Sequence, residues 1–364
     1  MSARRPRLPL RRARGILRVV AVLALGGLGV VAAPSAPAEA APSVWTRARE
    51  PGFEQRRALL AEAEALLIRY DRLLRSPLAD SVRQVGPLWL RQARALYEQA
   101  GAPTARDPFL RLRYAGLLED LADYPAATRA FEALLRTDPP LPVQADAWRE
   151  LAVCYARLGR HQDEIKAYAE ALALEPHSGP RAILHANRAE AYMALGDIIS
   201  AIAGYRAALS GLSTREMFRY GVTTLWGLGV ALDRSGDLEG ALEHITLARS
   251  YDRTDQQLNG PGWFYVPAHD EAWYTALGHW QAARTAELGA ARAEAYNQAV
   301  AAWEDYLARA PGEDQWAPLA RARLAQCEKE RDDARRRALS VRSAPAPAPS
   351  PPRPRTPGAR TAAP

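Results

Sequence analysis

Four segments of the chain repeat one pattern of small, aromatic and helix-ending residues. They are residues 107–140, 145–178, 182–215 and 222–255, so each unit begins 37 to 40 residues after the one before it. Each segment holds two stretches with apolar residues at helical spacing, joined by a short turn. A repeat of this length predicts helix pairs that stack on one another, because a single pair cannot bury its apolar face.

Small residues recur where the two helices of each unit are expected to cross. A larger side chain would hold the helices apart at this position, which is taken by Ala115, Ala152, Ala189 and Gly229. The glycines expected to end the first helix in a left-handed conformation are Gly159, Gly196 and Gly236. The aspartates expected to cap the helix that follows are Asp123, Asp197 and Asp237. The sequence therefore predicts an all-α fold, an α-solenoid of stacked antiparallel helix pairs.

The second unit gives the clearest version of the pattern. It reads Trp-x-x-Leu-Ala-x-x-Tyr-x-x-x-Gly over residues 148–159, and its second helix ends before Pro176. This pattern resembles the tetratricopeptide repeat family, and the other three units repeat most of it. The resemblance implies a concave groove lined by the first helix of each unit. It also implies a protein that binds other proteins without catalysing a reaction.

Helical periodicity continues on both sides of the four units. The predicted flanking helices are residues 53–75 and 87–100 before the units, and 269–288, 290–310 and 316–339 after them. The predicted regions are an N-terminal helical pair at 44–105, four tetratricopeptide-like repeats at 106–255, an aromatic Gly/Pro loop at 256–268, and a C-terminal helical repeat with a capping helix at 269–340.

The two ends of the chain differ in composition from the middle. Residues 1–40 combine seven Arg with an apolar run and small residues before Ala41, which is the pattern of a secretory signal peptide. The alternative is an uncleaved N-terminal anchor, the one case in which a membrane contact is expected. Either interpretation predicts a protein that is periplasmic, secreted or anchored to the inner membrane. Residues 341–364, rich in Pro, Ala and Arg, predict a disordered tail that is inert, acts as a spacer or contacts an acidic surface such as the cell wall.

The positive charge of the chain is concentrated at its two ends. The formal net charge is +7, but residues 1–40 and 341–364 carry eleven Arg and one Glu between them. Residues 41–340 are therefore slightly acidic. A nucleic-acid-binding protein concentrates basic charge on its folded part, so no nucleic-acid partner is expected.

The resemblance also indicates which side chains line the groove. The predicted partner-binding residues are Phe109, Leu112, Glu119, Arg149, Val153, Arg157, Glu190, Met193, Trp226 and Asp233. About half of the groove positions are expected to pack against the next unit. The surface mixes apolar, positive and negative side chains, which suits an extended or helical peptide with apolar anchors. Some relatives use Lys and Asn to hold a peptide carboxylate, but Leu112 and Gly116 stand at those positions here.

The aromatic loop, residues 256–268, interrupts the repeat period. A connection of this length in a helical solenoid is often functional. Its apolar run at 263–267 is expected either to plug the groove or to contact a partner. The side chains predicted to make this contact are Trp263, Phe264, Tyr265 and Trp273. Aromatic faces also suit sugar stacking, so Trp263, Tyr265, Trp273 and Trp280 form an alternative site for a cell-wall glycan or peptide fragment.

No catalytic constellation stands out in the sequence. A phosphate-binding loop, a nucleophile elbow and paired-cysteine or zinc-binding motifs are missing. His269 and His279 lie ten residues apart, too far along one helix to share a metal, and Asp270 and Glu271 are expected to cap that helix. Cys154 and Cys327 are expected to be free buried thiols rather than a disulfide. No catalytic residue, metal site or cofactor is therefore predicted.

These features together favour a non-catalytic periplasmic scaffold that binds a protein or peptide segment in the groove. One alternative is an accessory protein of an enzyme that holds a cell-wall fragment near the aromatic loop. Another is self-assembly into a homo-oligomer through the repeats. The sequence does not identify the partner.

Overall fold

The helices follow one another as antiparallel pairs in a computed structural model that describes residues 52–74, 79–260, 263–287 and 289–343. The pairs are α1 (Phe53–Leu74) with α2 (Ala79–Gln99), α3 (Pro108–Asp120) with α4 (Tyr124–Leu135), α5 (Leu141–Arg157) with α6 (His161–Leu174), α7 (Ser178–Leu195) with α8 (Ile198–Ser210), α9 (Val222–Arg234) with α10 (Leu238–Tyr251), and α11 (Asp270–Thr285) with α12 (Ala290–Arg309). Helix α13 (Ala317–Ser343) follows, and the described residues contain no β-strand. The predicted all-α solenoid of helix pairs is confirmed.

Small residues occupy the helix crossings, as the repeat pattern predicts. Ala115, Ala152 and Ala189 are fully buried. At the fourth crossing, a Cβ added to Gly229 would lie 3.1 Å from the backbone oxygen of Ala241 and 3.1 Å from the Ile245 Cγ1 atom. The spacing of small residues therefore sets how closely the helices of a unit approach each other.

The turns within the units also have the predicted chemistry. Gly196 ends α7 with φ 78° and ψ 6°, a left-handed conformation that favours glycine. Asp197 follows, and its carboxylate accepts a hydrogen bond from the Ser200 backbone N–H at 3.1 Å. Asp123 and Asp237 cap α4 and α10 in the same way. These caps satisfy backbone donors that the start of a helix leaves unpaired.

Two helix boundaries differ from the prediction by four residues or more. Helix α2 begins at Ala79, eight residues before the predicted start at Pro87, and runs through that proline. A proline removes one backbone donor, but the burial of Leu90, Ala93 and Tyr97 beyond it holds the helix in place. Helix α13 continues to Ser343, beyond the predicted end at residue 339. The leader at 1–40 and residues 344–364 of the predicted tail lie outside the described residues.

The last helix pair departs from the direction of the earlier ones. Asp270, in the first turn of α11, forms an ion pair with Arg234 at the end of α9. Tyr274, one turn later, stacks near Trp226 at the start of α9, with 6.3 Å between ring centroids. Helix α11 therefore runs antiparallel to α9. In a solenoid with short turns throughout, the first helices of successive pairs run parallel to one another.

The 18-residue connection between α10 and α11 makes this reversal geometrically feasible. It starts beside the beginning of α9, where Gln257 Nε2 donates to the Phe218 carbonyl at 2.8 Å. It ends beside the last residue of α9, where Asp270 meets Arg234. A 13-residue helix is about 20 Å long, so a short turn could not span this distance. The aromatic loop lies within this connection.

The apolar core has two parts that meet in α7. One cluster extends from Ala63 to Leu184 and the other from Ala186 to Cys327. Cys154 and Cys327 are both buried and not joined in a disulfide, as predicted. In the part of the chain that the structure describes, no helix has the length and apolar character needed to cross a membrane.

Candidate partner-binding site

The first helices of neighbouring pairs form one layer of the solenoid, with contacts at three places along it. Helix α3 contacts α5, α7 contacts α9, and α9 contacts α11. We call the surface of these five helices the groove face. All ten predicted partner-binding residues lie on four of these helices, α3, α5, α7 and α9.

The part of the groove face on α3 and α5 is accessible. Phe109 exposes 57% of its surface, which is unusual for an aromatic side chain beside a core. Leu112, Glu119 and Arg149 are half-buried. Arg149 Nη2 lies 2.8 Å from Asp146 Oδ1, so its charge is held at the surface of α5 by an ion pair. We call Phe109, Leu112, Glu119 and Arg149 the open stretch.

Further along the groove face, the aromatic loop covers the helices. The guanidinium carbon of Arg157 lies 3.3 Å from the centroid of the Phe264 ring, and the Tyr124 ring lies 5.8 Å from the same carbon. A cation over an aromatic face contributes about 0.5–2 kcal/mol, with the larger value for desolvated pairs. Arg157, a predicted partner-binding residue, is therefore engaged within the molecule.

Residues 263–266 make two alternating sets of contacts. Phe264 and Val266 line a cavity of about 20 Å³ together with Val153, on α5. The rings of Trp263 and Tyr265 lie 6.1 and 5.1 Å from the Tyr274 ring of α11. This alternation is typical of an extended backbone.

A second cavity, of about 30 Å³, lies between the loop and α7, α8 and α11. Its lining residues are Glu190, Met193, Tyr205, Trp263, Phe264, Tyr265, Val266, Asp270 and Tyr274. Full burial raises the pKa of the Tyr205 hydroxyl well above its usual value. Glu190 and Met193 therefore face the loop rather than open solvent. Of the two roles predicted for the loop, the structure favours the plug over the exposed contact.

Three predicted groove residues are buried, which corrects their predicted exposure: Met193 lies beside the loop, and the other two lie beneath α11. Trp226 is 1% exposed, with the Arg249 guanidinium carbon 5.4 Å from its ring centroid. Asp233 is fully buried, and its carboxylate accepts hydrogen bonds from Arg323 Nε at 2.7 Å and Trp273 Nε1 at 3.0 Å. Reversed α11 covers the face of α9 that carries Trp226 and Asp233.

Trp273 is likewise part of the core rather than the loop surface. It is fully buried, and its ring packs edge-on against Trp303 and Tyr306 at 4.9 Å. Trp280 is also fully buried and donates to Glu330. The alternative sugar site therefore loses two of its four proposed stacking faces, and retains Trp263 and Tyr265.

A buried polar network at the end of α9 positions α11 and, with it, the aromatic loop. The Arg234 and Asp270 side chains, 1% and 9% exposed, pair at 2.7 Å. Burial raises the pKa of the neighbouring Asp233 carboxyl, although Arg323 and Trp273 donate to it. Asp270 thus has a different role from the predicted helix cap. Sequence reasoning missed Arg234 and Arg323 because they resemble ordinary surface arginines.

Arg249 is a further residue that sequence reasoning missed, and it fixes the start of the connection. Its guanidinium donates to Asp255, with the shortest contact at 2.6 Å, and to Gln281 at 2.8 Å. It therefore joins the end of α10 to both the connection and α11. The position of Asp255 four residues after the helix is the one local signal of this role.

The described residues offer little for metal chemistry. Within them, no group of three His, Cys, Asp or Glu side chains is arranged to hold a metal ion. His269 instead packs against Tyr306, with 5.3 Å between ring centroids.

The stacked antiparallel helix pairs and their shared face define an α-solenoid of helical repeats, a fold class that suggests a scaffold for protein–protein interaction. Residues 115–179, from α3 into α7, match the family model of the tetratricopeptide repeat. This match covers 65 of the 364 residues and supports the tetratricopeptide repeat family for these units. No curated protein matches its sequence.

Several solved structures are similar in fold at low sequence identity. MamA is 17% identical, with a TM-score of 0.40, over 50% of this chain and 98% of that one. A thermophilic tetratricopeptide protein of Thermus thermophilus is 22% identical, with a TM-score of 0.35, over 50% and 93%. The TPR2AB domain in the pHSP90 complex of yeast Sti1 is 12% identical, with a TM-score of 0.26, over 79% and 100%.

Proposed function

We propose that this protein is a non-catalytic scaffold that binds a segment of another protein along the open stretch. The observation that carries the proposal is the contrast along the groove face. The open stretch on α3 and α5 is accessible, whereas the rest is covered by the aromatic loop and by α11. A partner segment therefore binds first at the N-terminal part of the face.

The open stretch has the composition of a peptide-binding surface. Phe109 supplies an exposed apolar anchor, and burying the exposed part of such a ring contributes about 1–2 kcal/mol. Glu119, ten residues further along α3, and Arg149, on α5, provide opposite charges on the same stretch, which orient a partner and exclude unsuitable ones. A segment with an apolar anchor and a charged flank fits this arrangement.

The proposal includes a location outside the cytoplasm. Its support is the arginine-rich, apolar leader at residues 1–40, followed by small residues before Ala41. Purification of the protein from separated cell fractions, followed by N-terminal sequencing, tests this part. A periplasmic protein that begins at Ala41 is expected, and a cytoplasmic protein that begins at Met1 contradicts the location.

Photo-crosslinking tests the binding site itself. A photoreactive residue at Phe109 is expected to capture a discrete partner from a periplasmic extract. The matched control is Ile199, which is 84% exposed but lies on α8, a second helix. Equal capture from both positions contradicts the proposed site.

The captured partner then allows a quantitative test by calorimetry. Phe109→Glu and Arg149→Glu are each expected to weaken binding at least tenfold, because each places an unfavourable charge in the open stretch. Ile199→Glu is expected to leave the affinity unchanged. Unchanged affinity in all three variants would remove the open stretch as the binding site.

A further inference from the structure

We infer that the surface beneath residues 263–266 is a second binding site on the groove face, occupied in the free protein by the chain's own aromatic loop. Its partner is an extended protein segment with an aromatic side chain followed two residues later by a β-branched apolar side chain. Phe264 and Val266 stand in for these two side chains. The inference rests on the proposed function and extends the bound segment beyond the open stretch.

The spacing of the side chains defines what this site recognises. Phe264 and Val266, but not Trp263 and Tyr265, line the cavity that Val153 lines, whereas the rings of Trp263 and Tyr265 pack on Tyr274. An extended segment presents every second residue to one surface. The site therefore selects for residues at positions i and i+2 of the bound segment.

Arg157 gives the site a preference for an aromatic ring. Its guanidinium carbon lies 3.3 Å from the centroid of the Phe264 ring and 5.8 Å from the centroid of the Tyr124 ring. An aliphatic side chain fills the same space without the attraction between a cation and the face of an aromatic ring. The first of the two recognised side chains is therefore aromatic.

The second site is continuous with the open stretch along α5. Arg149, Val153 and Arg157 are spaced four residues apart, so they lie on one face of the helix. Arg149 belongs to the open stretch, and Arg157 contacts the loop. About 12 Å of helix separates these two arginines, a distance that four extended residues span. One partner segment thus reaches both sites.

The loop fits this surface incompletely, which leaves room for a competing segment. All four residues at 263–266 are only half-buried, and Pro267 and Ala268 after them are exposed. The Tyr205 hydroxyl, beside the loop, is buried and has no hydrogen-bond partner among the described protein atoms. Because the loop is tethered, its effective concentration is in the millimolar range, so it competes strongly with weak ligands.

The test uses a fluorescent peptide with the sequence of residues 263–268, added to the full chain. Wild-type protein is expected to bind it weakly, because its own loop holds the site. The double variant Phe264→Ser, Val266→Ser frees the site and is expected to bind the peptide at least tenfold more tightly. Arg157→Ala in that background is expected to weaken binding about fivefold or more. A peptide with Ser at both recognised positions is the matched control.

Fluorescence anisotropy provides the affinities, and far-UV circular dichroism confirms that each variant is folded. Equal affinity in wild type and the freed variant overturns the inference, as does binding that Arg157→Ala leaves unchanged. If the double variant is unfolded, the single variant Phe264→Ala takes its place, and its affinity for the peptide is compared with that of wild type.

The outcomes separate this inference from the proposed function. If a partner captured at Phe109 binds with the same affinity after Phe264→Ala and after Arg157→Ala, the second site alone is contradicted. Tight peptide binding to the freed variant, with no partner captured at Phe109, contradicts the open stretch alone.

Discussion

The Arg157 guanidinium lies directly over the Phe264 ring, 3.3 Å from its centroid. This contact joins the second repeat to a loop more than one hundred residues later in the chain. It is the point at which the aromatic loop is attached to α5, so its removal has local consequences that can be measured.

Phe264→Ala is expected to release the aromatic loop while the helices stay folded. Loss of the half-buried ring and its contact with Arg157 lowers the free energy of unfolding by about 1–2 kcal/mol. Hydrogen exchange at residues 264–269 is expected to accelerate more than exchange in α5. The control is Phe218→Ala, an exposed aromatic that packs on Tyr251. A loop that stays equally protected in both variants contradicts this attachment.

Asp270→Ala is expected to be among the most destabilising single changes. It leaves the Arg234 guanidinium, 1% exposed, without its carboxylate partner. Breaking a buried ion pair from one side costs about 3–5 kcal/mol. Urea unfolding measures this loss of stability. The control is Arg336→Ala, which removes an exposed ion pair with Asp333 and is expected to lower the free energy of unfolding by about 0–1 kcal/mol. Similar unfolding midpoints for the two variants would refute the structural role of the buried pair.

Gly229→Ala is expected to destabilise the protein although alanine favours helix. The added Cβ would lie 3.1 Å from the Ala241 oxygen, so α9 and α10 must separate slightly. We expect a net loss of about 1–2 kcal/mol, since the strain outweighs the gain in helix propensity. Gly312→Ala is the matched control, because no atom lies within 4 Å of its added Cβ. Thermal unfolding of both variants is the measurement, and a more stable Gly229→Ala would contradict close packing.

Acid is expected to weaken the contact between α11 and α13 through Glu330. Burial opposes ionisation of this carboxyl, but hydrogen bonds from Arg284 and Trp280 outweigh burial and place its pKa below the ordinary value of 4.5. A depressed pKa stabilises the fold fully above pH 4.5, and this contribution is lost as the pH falls through the folded-state pKa.

The measurement for Glu330 is the urea midpoint over a pH series. Glu330→Gln is expected to be less stable than wild type at neutral pH, and to lose less stability on acidification. Glu328→Gln, which removes a more exposed carboxylate on the same helix, serves as the control. If the urea midpoints of Glu330→Gln and wild type fall in parallel as the pH is lowered, Glu330 is excluded as the source of the acid sensitivity.

The sequence predicted the features that repeat and missed those that occur once. Ala115 and Ala152 were assigned correctly to helix crossings, and Asp197 to a cap, because each has equivalents in other units. Trp226 was placed on an accessible surface for the same reason. Its equivalents Leu112 and Arg149 are half-buried, whereas reversed α11 buries Trp226. No repeat period carries information about that reversal.

The polar groups of the candidate site were also beyond the reach of sequence reasoning. Arg234 and Asp270 are 36 residues apart, and Arg323 is 90 residues from Asp233. The separation of 36 residues is close to one repeat, but it pairs the end of α9 with the start of α11 only because α11 is reversed. The separation of 90 residues matches no repeat length. The aromatic loop was recognised as unusual because it breaks the period. Its contact with Arg157, however, depends on how the chain returns across the helices.

The reversal of α11 also limits how an array of this kind lengthens. A copied unit fits between α8 and α9, because there each helix pair ends where the next one begins. A unit copied after α10 does not fit in the same way, because the connection there runs along the length of α9 before the next helix begins. Duplication of repeats is thus accommodated upstream of α10, while the C-terminal pair closes the array to further growth.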